Sequence, residues 1–502
     1  MMTANSVSNT VRYRLNVSDL PLVALNLAKF FTECDPQMYL VGGFVRDLLL
    51  GRQTHDIDIV VSSSMQETGS VLAKALNGKF VVLDHERGIG RVVVTQRDDV
   101  QHIDFMSLND HIESNLSRRD FTIDAMAIRI APNLTQLEII DPFDGQSDLV
   151  AGYIRALNDH VFQDDPCRLL RGPRLAAQLN MQIEGRTQQA IRTNVGLVNK
   201  VAGERIRDEF LKLLATAKPT PALRLLDELG LLCEIMPEFL DAKGVDQPPE
   251  HYWDVFGHLI ESPSQVERVL SVVDVEQDEA GISVPTFNGM QRYFAEHAGD
   301  GFSRRTLLKF AALLHDVGKP GTKTVDATGR IRFLGHQQVG AETAERISKR
   351  LRLSGKGREL LSGMVMHHLR PSQLAQAGEM PTPRAIYRYF RDLGEVAMDT
   401  VYLNMADYLA AKGPELEIEN WIQHCRVMER IIESKDGGSS QENTPRLLYG
   451  HILMERFDLT AGPLVGELLE LVREAQVTGE IHTTDEALEL VKVQIKGWNA
   501  GA

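Results

Sequence analysis

Residues 39–61 read YLVGGFVRDLLLGRQTHDIDIVV. Two carboxylates, Asp56 and Asp58, stand one residue apart inside an apolar run. In a strand, residues i and i+2 share a face, so the two aspartates converge while Ile57, Ile59 and Val61 anchor the opposite face. Neighbouring carboxylates repel unless a cation sits between them. Mg2+ suits such a pair, because it takes oxygen ligands, keeps waters and bridges carboxylates to substrate phosphates. Upstream, Gly42 and Gly43 follow a short strand and precede a helix beginning near Phe44. Their small size lets a triphosphate approach backbone N–H groups at the positive end of that helix. Arg46 adds charge there, and Asp47 hydrogen-bonds to it or caps the turn. A Gly-Gly turn alone, or an Asp-x-Asp strand end alone, is commonplace. Their order within so short a span is specific, and the apolar flanks strengthen it, since unpaired charge is costly to bury.

With 502 residues, 43% of them hydrophobic, the chain can bury large cores. At roughly 100 to 200 residues per domain it holds about three. No apolar run reaches the roughly 18 residues that a membrane span needs. The opening MMTANSVSNTVRYRLNV lacks the continuous apolar core of a signal peptide. The four cysteines (Cys34, Cys167, Cys233 and Cys425) form no C-x-x-C pair. That argues against a disulfide framework or a cysteine zinc site and for a cytoplasmic location with no membrane partner. A net charge of -15 argues against non-specific coating of nucleic acid, which rests on phosphate neutralisation. It is compatible with a local basic groove and with recruitment of divalent cations.

Leu20–Phe31 predicts a first helix. The runs MYLVG, DIDIVVS, KFVVLD, RVVVTQ, VQHIDFM, DAMAIRI and LEIIDPF then predict a mixed sheet with helices against one face. The turn Asp141-Pro-Phe-Asp-Gly145 closes this region. From about residue 160 apolar residues recur at helical spacing. QPPEHYWD (247–254) marks a boundary and EQDEAGISVPTFNG (276–289) a polar loop. KDGGSSQENTP (435–445) reads as a flexible linker before a short helical tail.

GGFVRDLLLGRQTHDIDIVV resembles the nucleotidyltransferase head of class II tRNA nucleotidyltransferases (CCA-adding enzymes) and the related bacterial poly(A) polymerases. Their pattern is G-G-x-x-R-D followed by D-x-D. Downstream, Arg118-Arg119-Asp120-Phe121-Thr122-Ile123-Asp124-Ala125 resembles the family's R-R-D-F-T-x-N-A. That resemblance implies ribose contacts from Arg119 and Asp120. Asp144-Gly145 falls where the family has its head–neck hinge. Asp164-Asp165-Pro166-Cys167-Arg168 resembles E-D-x-x-R, the nucleobase template, and Glu204–Glu209 resembles the neck motif that supports the template helix. Asp165 and Arg168, at i and i+3, are expected to share a helix face. A carboxylate accepts from an exocyclic amine and a guanidinium donates to a ring nitrogen or carbonyl. C and A both carry an amino group beside an acceptor, so such a pair selects them over G and U. Arg171 and Arg174 continue the stripe toward phosphate. Three departures stand out: Asp124 in place of Asn, Asp164 in place of Glu, and Gly172-Pro173 where a proline is expected to kink the helix. Asp104, in QHIDFM, is a candidate third catalytic carboxylate.

A second constellation is rich in histidine. His315-Asp316-Val317-Gly318-Lys319 resembles the HD phosphohydrolase signature, and His258 in DVFGHLIE matches its first ligand. His336, the pair His367-His368, and Asp407 fit the later positions. Converging imidazoles and carboxylates make a divalent metal site. The resemblance implies Mn, Ni, Co or Fe, with Mg2+ also compatible.

The expected fold class is α+β. A polymerase-β-like head (35–155) follows an extension and helix (1–34). An all-α neck and body (156–246), an all-α HD domain (247–434) and a linker with a helical tail (435–502) complete it. The expected function is Mg2+-dependent addition of CCA to the tRNA 3′ end from CTP and ATP, with phosphohydrolysis at the HD site. Segment 83–93 (LDHERGIGRVV) is expected to govern the switch from C to A addition, and Lys349, Arg350, Arg352, Lys356 and Arg358 to offer a tRNA surface. The alternatives are an enzyme adding only CC or only A, a poly(A) polymerase, or an HD phosphohydrolase with a nucleotide-sensing head.

Overall fold

A computed structural model describes the chain at residues 13–500, apart from 14, 17–18, 22–23, 28–29, 31–36, 54–55, 63, 86–87, 97–98, 109, 131–135, 273–277, 279–280, 376–379 and 443–444. Of the expected helix Leu20–Phe31, residues 24–27 and 30 are helical. Residues 22–23, 28–29 and 31, like Cys34 and part of segment 83–93, lie outside the described residues.

Each of the seven β-rich runs contains a strand: β2 (Met38–Val41), β3 (Asp56–Val61), β4 (Lys79–Asp84), β5 (Ile89–Gln96), β6 (Asp99–Ser107), β7 (Ala127–Ile130) and β8 (Gln136–Ile140). A two-residue strand near the N-terminus, β1 (Leu15–Asn16), has no β-rich signal of its own and pairs with β8. The eight-stranded order is β1-β8-β7-β2-β3-β6-β5-β4. β3 and β6 run parallel and the other neighbours antiparallel, so the sheet is mixed as expected. The parallel register sets Asp56 opposite His102 and Asp58 opposite Asp104. One apolar cluster gathers Tyr39, Val41, Val60, Ile112, Leu116 and Ala127. Elsewhere Phe80 of β4 stacks on Phe105 of β6, their ring centres 5.7 Å apart.

The chain divides into two compact units, residues 1–202 with 225–235 and residues 203–224 with 236–502. In the first, helix Arg168–Leu179 continues through Pro173. The steric clash of a proline ring falls on the preceding residue's Cβ, and Gly172 has none. The second unit is helical apart from two short ribbons among the described residues. Of stretch 435–445, expected to be a flexible linker, residues 435–442 instead carry helix Ile418–Glu442 to its end, and 443–444 lie outside the described residues. Helix propagation adds a hydrogen bond per residue once a nucleus exists, and it carries the backbone across Gly437-Gly438. The tail is three helices, Gly450–Phe457, Pro463–Val477 and Thr484–Ala500, around their own core of Leu453, Val465, Leu468, Val472 and Val491.

The turn before helix Gly145–Ala151 holds Asp144 at φ 58°, and Asp141 accepts from the N–H groups of Gly145 and Gln146 at 2.8 and 2.9 Å. A Cβ on Gly145 would collide with the Thr122 carbonyl oxygen and lie 3.0 Å from its carbon. Both are backbone atoms that cannot swing aside. Gly145→Ala should therefore cost about 1–3 kcal/mol, measured as a lower urea midpoint. An unchanged midpoint would show that the turn relaxes freely.

Candidate active site and metal centre

In the head, the Gly42–Gly43 turn links β2 to helix Gly43–Leu49. Gly42 sits at φ 72° and ψ −143°. A Cβ there would strike the Arg119 guanidinium and lie 2.9 Å from Asp58 Oδ2, so only glycine lets the turn, Asp58 and Arg119 meet. Arg119 Nε and Nη2 are buried and have no hydrogen-bond partner among the described residues. Asp56 is exposed at the mouth, with His102 Nδ1 3.4 Å from its Oδ1. Burial pushes the half-buried Asp58 carboxyl up from its usual pKa; Arg119 opposes this and repulsion from Asp104 adds to it. The carboxylate oxygens of Asp56 and Asp58 are hard donors of the kind Mg2+ takes.

Asp104 is not free to join that pair. Arg91, opposite it in β5, grips it with both ends of its guanidinium, Nε to Oδ1 at 2.6 Å and Nη2 to Oδ2 at 2.7 Å.

Deeper in, Arg46 does not face open solvent. It donates to both Asp47 oxygens at 3.0 Å and to Asp124 Oδ1 at 2.6 Å. Arg171 sits 2.7 Å from Asp120 Oδ2 and 3.5 Å from Asp124 Oδ2. Burial opposes the charge on Asp124, but Arg46 and then Arg171 outweigh it and hold the carboxyl below its usual value. The departure from Asn therefore balances the buried Arg46 and the part-exposed Arg171. Arg174 instead donates to Gln178 at 2.6 Å.

Asp165 and Arg168 do not share a helix face. Asp165 lies in extended backbone (φ −148°, ψ 100°) between the short helix Val161–Asp164 and helix Arg168–Leu179, and its Oδ1 accepts from the Cys167 N–H at 3.2 Å. The proline at 166 explains the break, because it disfavours helical backbone in the residue before it. Arg168 donates to the Arg118 and Val161 carbonyls at 2.8 and 3.2 Å, tying the template turn to the Arg118–Ala125 loop. Within the second unit, Arg207 of the Glu204–Glu209 motif binds Asp300 at 3.1 Å and the Arg352 carbonyl at 2.7 Å. There too Lys349, Arg350, Lys356 and Arg358 each face a glutamate: Glu345, Glu238, Glu395 and Glu345.

The histidine constellation converges tightly. His258 comes from helix Val255–Ser271, His315 and Asp316 from the end of Arg304–Leu314, and His336 from the first residue of His336–Arg350. His368 ends Gly355–His367, and Asp407 lies in Ala397–Lys412. Two ligand groups result, one of His258, His315, Asp316 and Asp407, the other of Asp316, His336 and His368. Asp316 serves both. Its Oδ2 is 3.4 and 3.2 Å from the Nε2 atoms of His258 and His315, and its Oδ1 is 3.2 and 3.6 Å from those of His336 and His368. His367 joins neither group. Its half-buried ring is depressed in pKa by burial and by Arg370, and neighbouring helical residues point too far apart for both to turn inward.

The rings also reveal their tautomers. Nδ1 of His315, His336 and His368 faces a backbone carbonyl at 2.8, 2.6 and 2.7 Å, so Nδ1 carries the proton. The Nε2 lone pairs of His336 and His368 then meet at 3.3 Å, and that of His315 points at His258 Nε2, 3.0 Å away, while His258 Nδ1 is buried without a partner among the described residues. Acceptors aimed at acceptors call for a cation between them, and mixed imidazole and carboxylate donors fit a first-row transition ion. Without one the strain is eased by protonation. Burial opposes it, but Asp316 and Asp407 push His315 up to about 10. Beside the ligands a cavity of about 630 Å³ is lined by His251, Lys319, Arg332, Asn404, Tyr408 and His424, among others. Lys319 Nζ is 2.5 Å from Asp316 Oδ2. Its place inside His-Asp-x-x-Lys was the available sequence signal; Arg91 and Arg332 had none.

Comparison with known proteins shows which families the regions of the chain match. Residues 38–155 match the poly A polymerase head domain, 180–243 an RNA- and SrmB-binding site of polymerase A, 289–411 the HD domain, and 446–491 tRNA nucleotidyltransferase domain 2. The A-adding tRNA nucleotidyltransferase of Deinococcus radiodurans is 32% identical, over 91% of this chain and 95% of that protein. This chain belongs to the tRNA nucleotidyltransferase family. The CC-adding tRNA nucleotidyltransferase of Thermus thermophilus is 31% identical over 91% of this chain and 93% of its own. The solved complex of a CCA-adding enzyme with CTP shares the fold, with a TM-score of 0.61 at 21% identity over 97% of this chain and all of that one. As a tRNA nucleotidyltransferase the protein is an enzyme of nucleotidyl transfer. No helix among the described residues is long and apolar enough to cross a membrane.

Two outcomes follow from these charges. Asp124 is a depressed carboxylate, so its stabilisation is present above its unfolded pKa near 3.8 and is lost as pH falls through the lower folded value. Asp124→Asn should cost about 2 kcal/mol at pH 7 and lessen the loss of stability on acidification, both read from urea midpoints; equal midpoints at neutral pH would show that Arg46 and Arg171 do not need it. At the histidine centre, Ni2+ at about 100 times its Kd should stabilise metal-stripped protein by about 2.7 kcal/mol. Asp316→Asn should remove most of that gain in thermal unfolding, and an undiminished gain would place the ion elsewhere.

Proposed function

We propose that the head adds the terminal C, C and A to tRNA from CTP and ATP. The observation that carries this reading is the meeting of Gly42, Asp58 and the unpartnered Arg119 nitrogens above the Asp-x-Asp strand. The tRNA 3′ hydroxyl oxygen attacks the α-phosphorus, the bond to the β-phosphate oxygen breaks, and pyrophosphate leaves. Asp56 and Asp58 hold Mg2+, which when bound supplies charge to the triphosphate and acidifies the attacking hydroxyl. Backbone N–H groups at Gly42 and Gly43 receive phosphate oxygens, with Arg46 and Asp47 bracing the turn. Arg119, with Asp120 set by Arg171, orients the ribose. Asp165 and Arg168 read the base edge, and Arg174 lies along the same helix. At the histidine centre His258, His315, Asp316, His336, His368 and Asp407 would hold Mn, Ni, Co, Fe or Mg, which would supply Lewis-acid activation for cleaving a phosphoester, such as a cyclic phosphate on an RNA end. The setting is the cytoplasm.

A second reading has specific support. The relatives that match along nearly the whole chain are named A-adding or CC-adding, so a division of labour between two enzymes is the competing assignment. Three tRNA transcripts decide, one lacking CCA, one ending in CC and one complete, each given labelled CTP and ATP. CC followed by a single A on the first is expected. Addition of CC only, or of A only to the second, would assign a half-enzyme, and an unending A tail a poly(A) polymerase. Asp58→Asn should lower incorporation by about 10³ or more. Wild-type protein inactive on all three would overturn the head assignment and leave phosphoester hydrolysis as the main activity.

A further inference from the structure

Asp56 and Asp58 lie on β3 and Asp104 on β6 beside it, yet the three do not form one ligand group. Among the described residues, the groups of three or more metal-ligating atoms within 4.8 Å of one another both lie at the histidine centre. The head carboxylates are absent from them, although Asp104 stands opposite Asp58 in the parallel register. The difference is Arg91. It sits opposite Asp104 across the antiparallel β5–β6 pair, and its fork covers both carboxylate oxygens. Both side chains are about one-third exposed, so an ion from solvent can reach the pair. A guanidinium and a divalent cation ask for the same two oxygens, and only one can have them.

We propose that Arg91 is the resident counter-ion of the third carboxylate: it holds Asp104 out of the metal group in the free protein and yields it when a divalent cation arrives. The proposal rests on the reading of Asp56 and Asp58 as the head's metal ligands. It makes Arg91 a positioning residue and gives segment 83–93 a physical link to the metal site, because Arg91 is part of that segment. Loading the metal then costs the ion pair and frees the guanidinium. The exchange is purely ionic.

The test is Mn2+ binding to the full chain, followed by loss of the free-ion paramagnetic resonance signal. The head component is the part that Asp58→Asn removes. Arg91→Met, which keeps length and loses charge, should bind that component about fivefold more tightly, the ratio a partly exposed ion pair is worth. Arg91→Lys, charged but unable to fork, should fall between Met and wild type. In an Asp104→Asn background Arg91→Met should change nothing further. Unchanged or weaker Mn2+ binding in Arg91→Met would overturn the proposal, as would an equal gain in the Asp104→Asn background, which would mean simple repulsion rather than competition. If wild type and Asp58→Asn titrate alike, the metal reading of the head fails and takes this proposal with it.

Discussion

The parallel pairing of β3 with β6 gathers negative charge, and the rest of the head answers it. Register alone places Asp104 beside Asp58, and backbone hydrogen bonds prevent either from moving away. Arg91 reaches in from one side, Arg119 from the loop above. In a second layer Arg46 and Arg171 are shared among Asp47, Asp120 and Asp124. Charges alternate outward from the strand, so a change at one layer is felt at the next through Coulomb forces rather than packing.

The histidine centre solves a like problem differently. There the crowded groups are lone pairs fixed by backbone carbonyls behind each ring. The carbonyls come from the residue three positions earlier, so the helix or turn that bears each histidine also sets its tautomer. Lys319, one of two lysines lining this cavity, reaches Asp316.

Much of this was legible in the sequence, for reasons that can be named. Asp56 and Asp58 needed only the two-residue period of a strand, a local property. The strands announced themselves through β-branched runs, whereas the two-residue β1 had none. Six histidine-centre ligands were readable because their order follows a known pattern, but which of His367 and His368 turns inward depends on helix phase. The grouping of Asp165 with Arg168 on one helix ignored Pro166, whose effect on the preceding residue was there to be read. The Arg91–Asp104 grip was not legible at all, since it depends on the register between two strands and not on any contiguous motif. The role of Asp124 lay equally hidden, because its partners are Arg46, 78 positions away, and Arg171.

The two compact units trade segments: residues 225–235 belong with the first although 203–224 belong with the second. Neither unit is therefore a contiguous piece of gene. A cut after residue 202 strips the first unit of Leu231 and Leu232, both fully buried, and a cut after 235 carries away from the second the helix that bears Arg207. Recombination at any single point in this stretch damages one unit or the other.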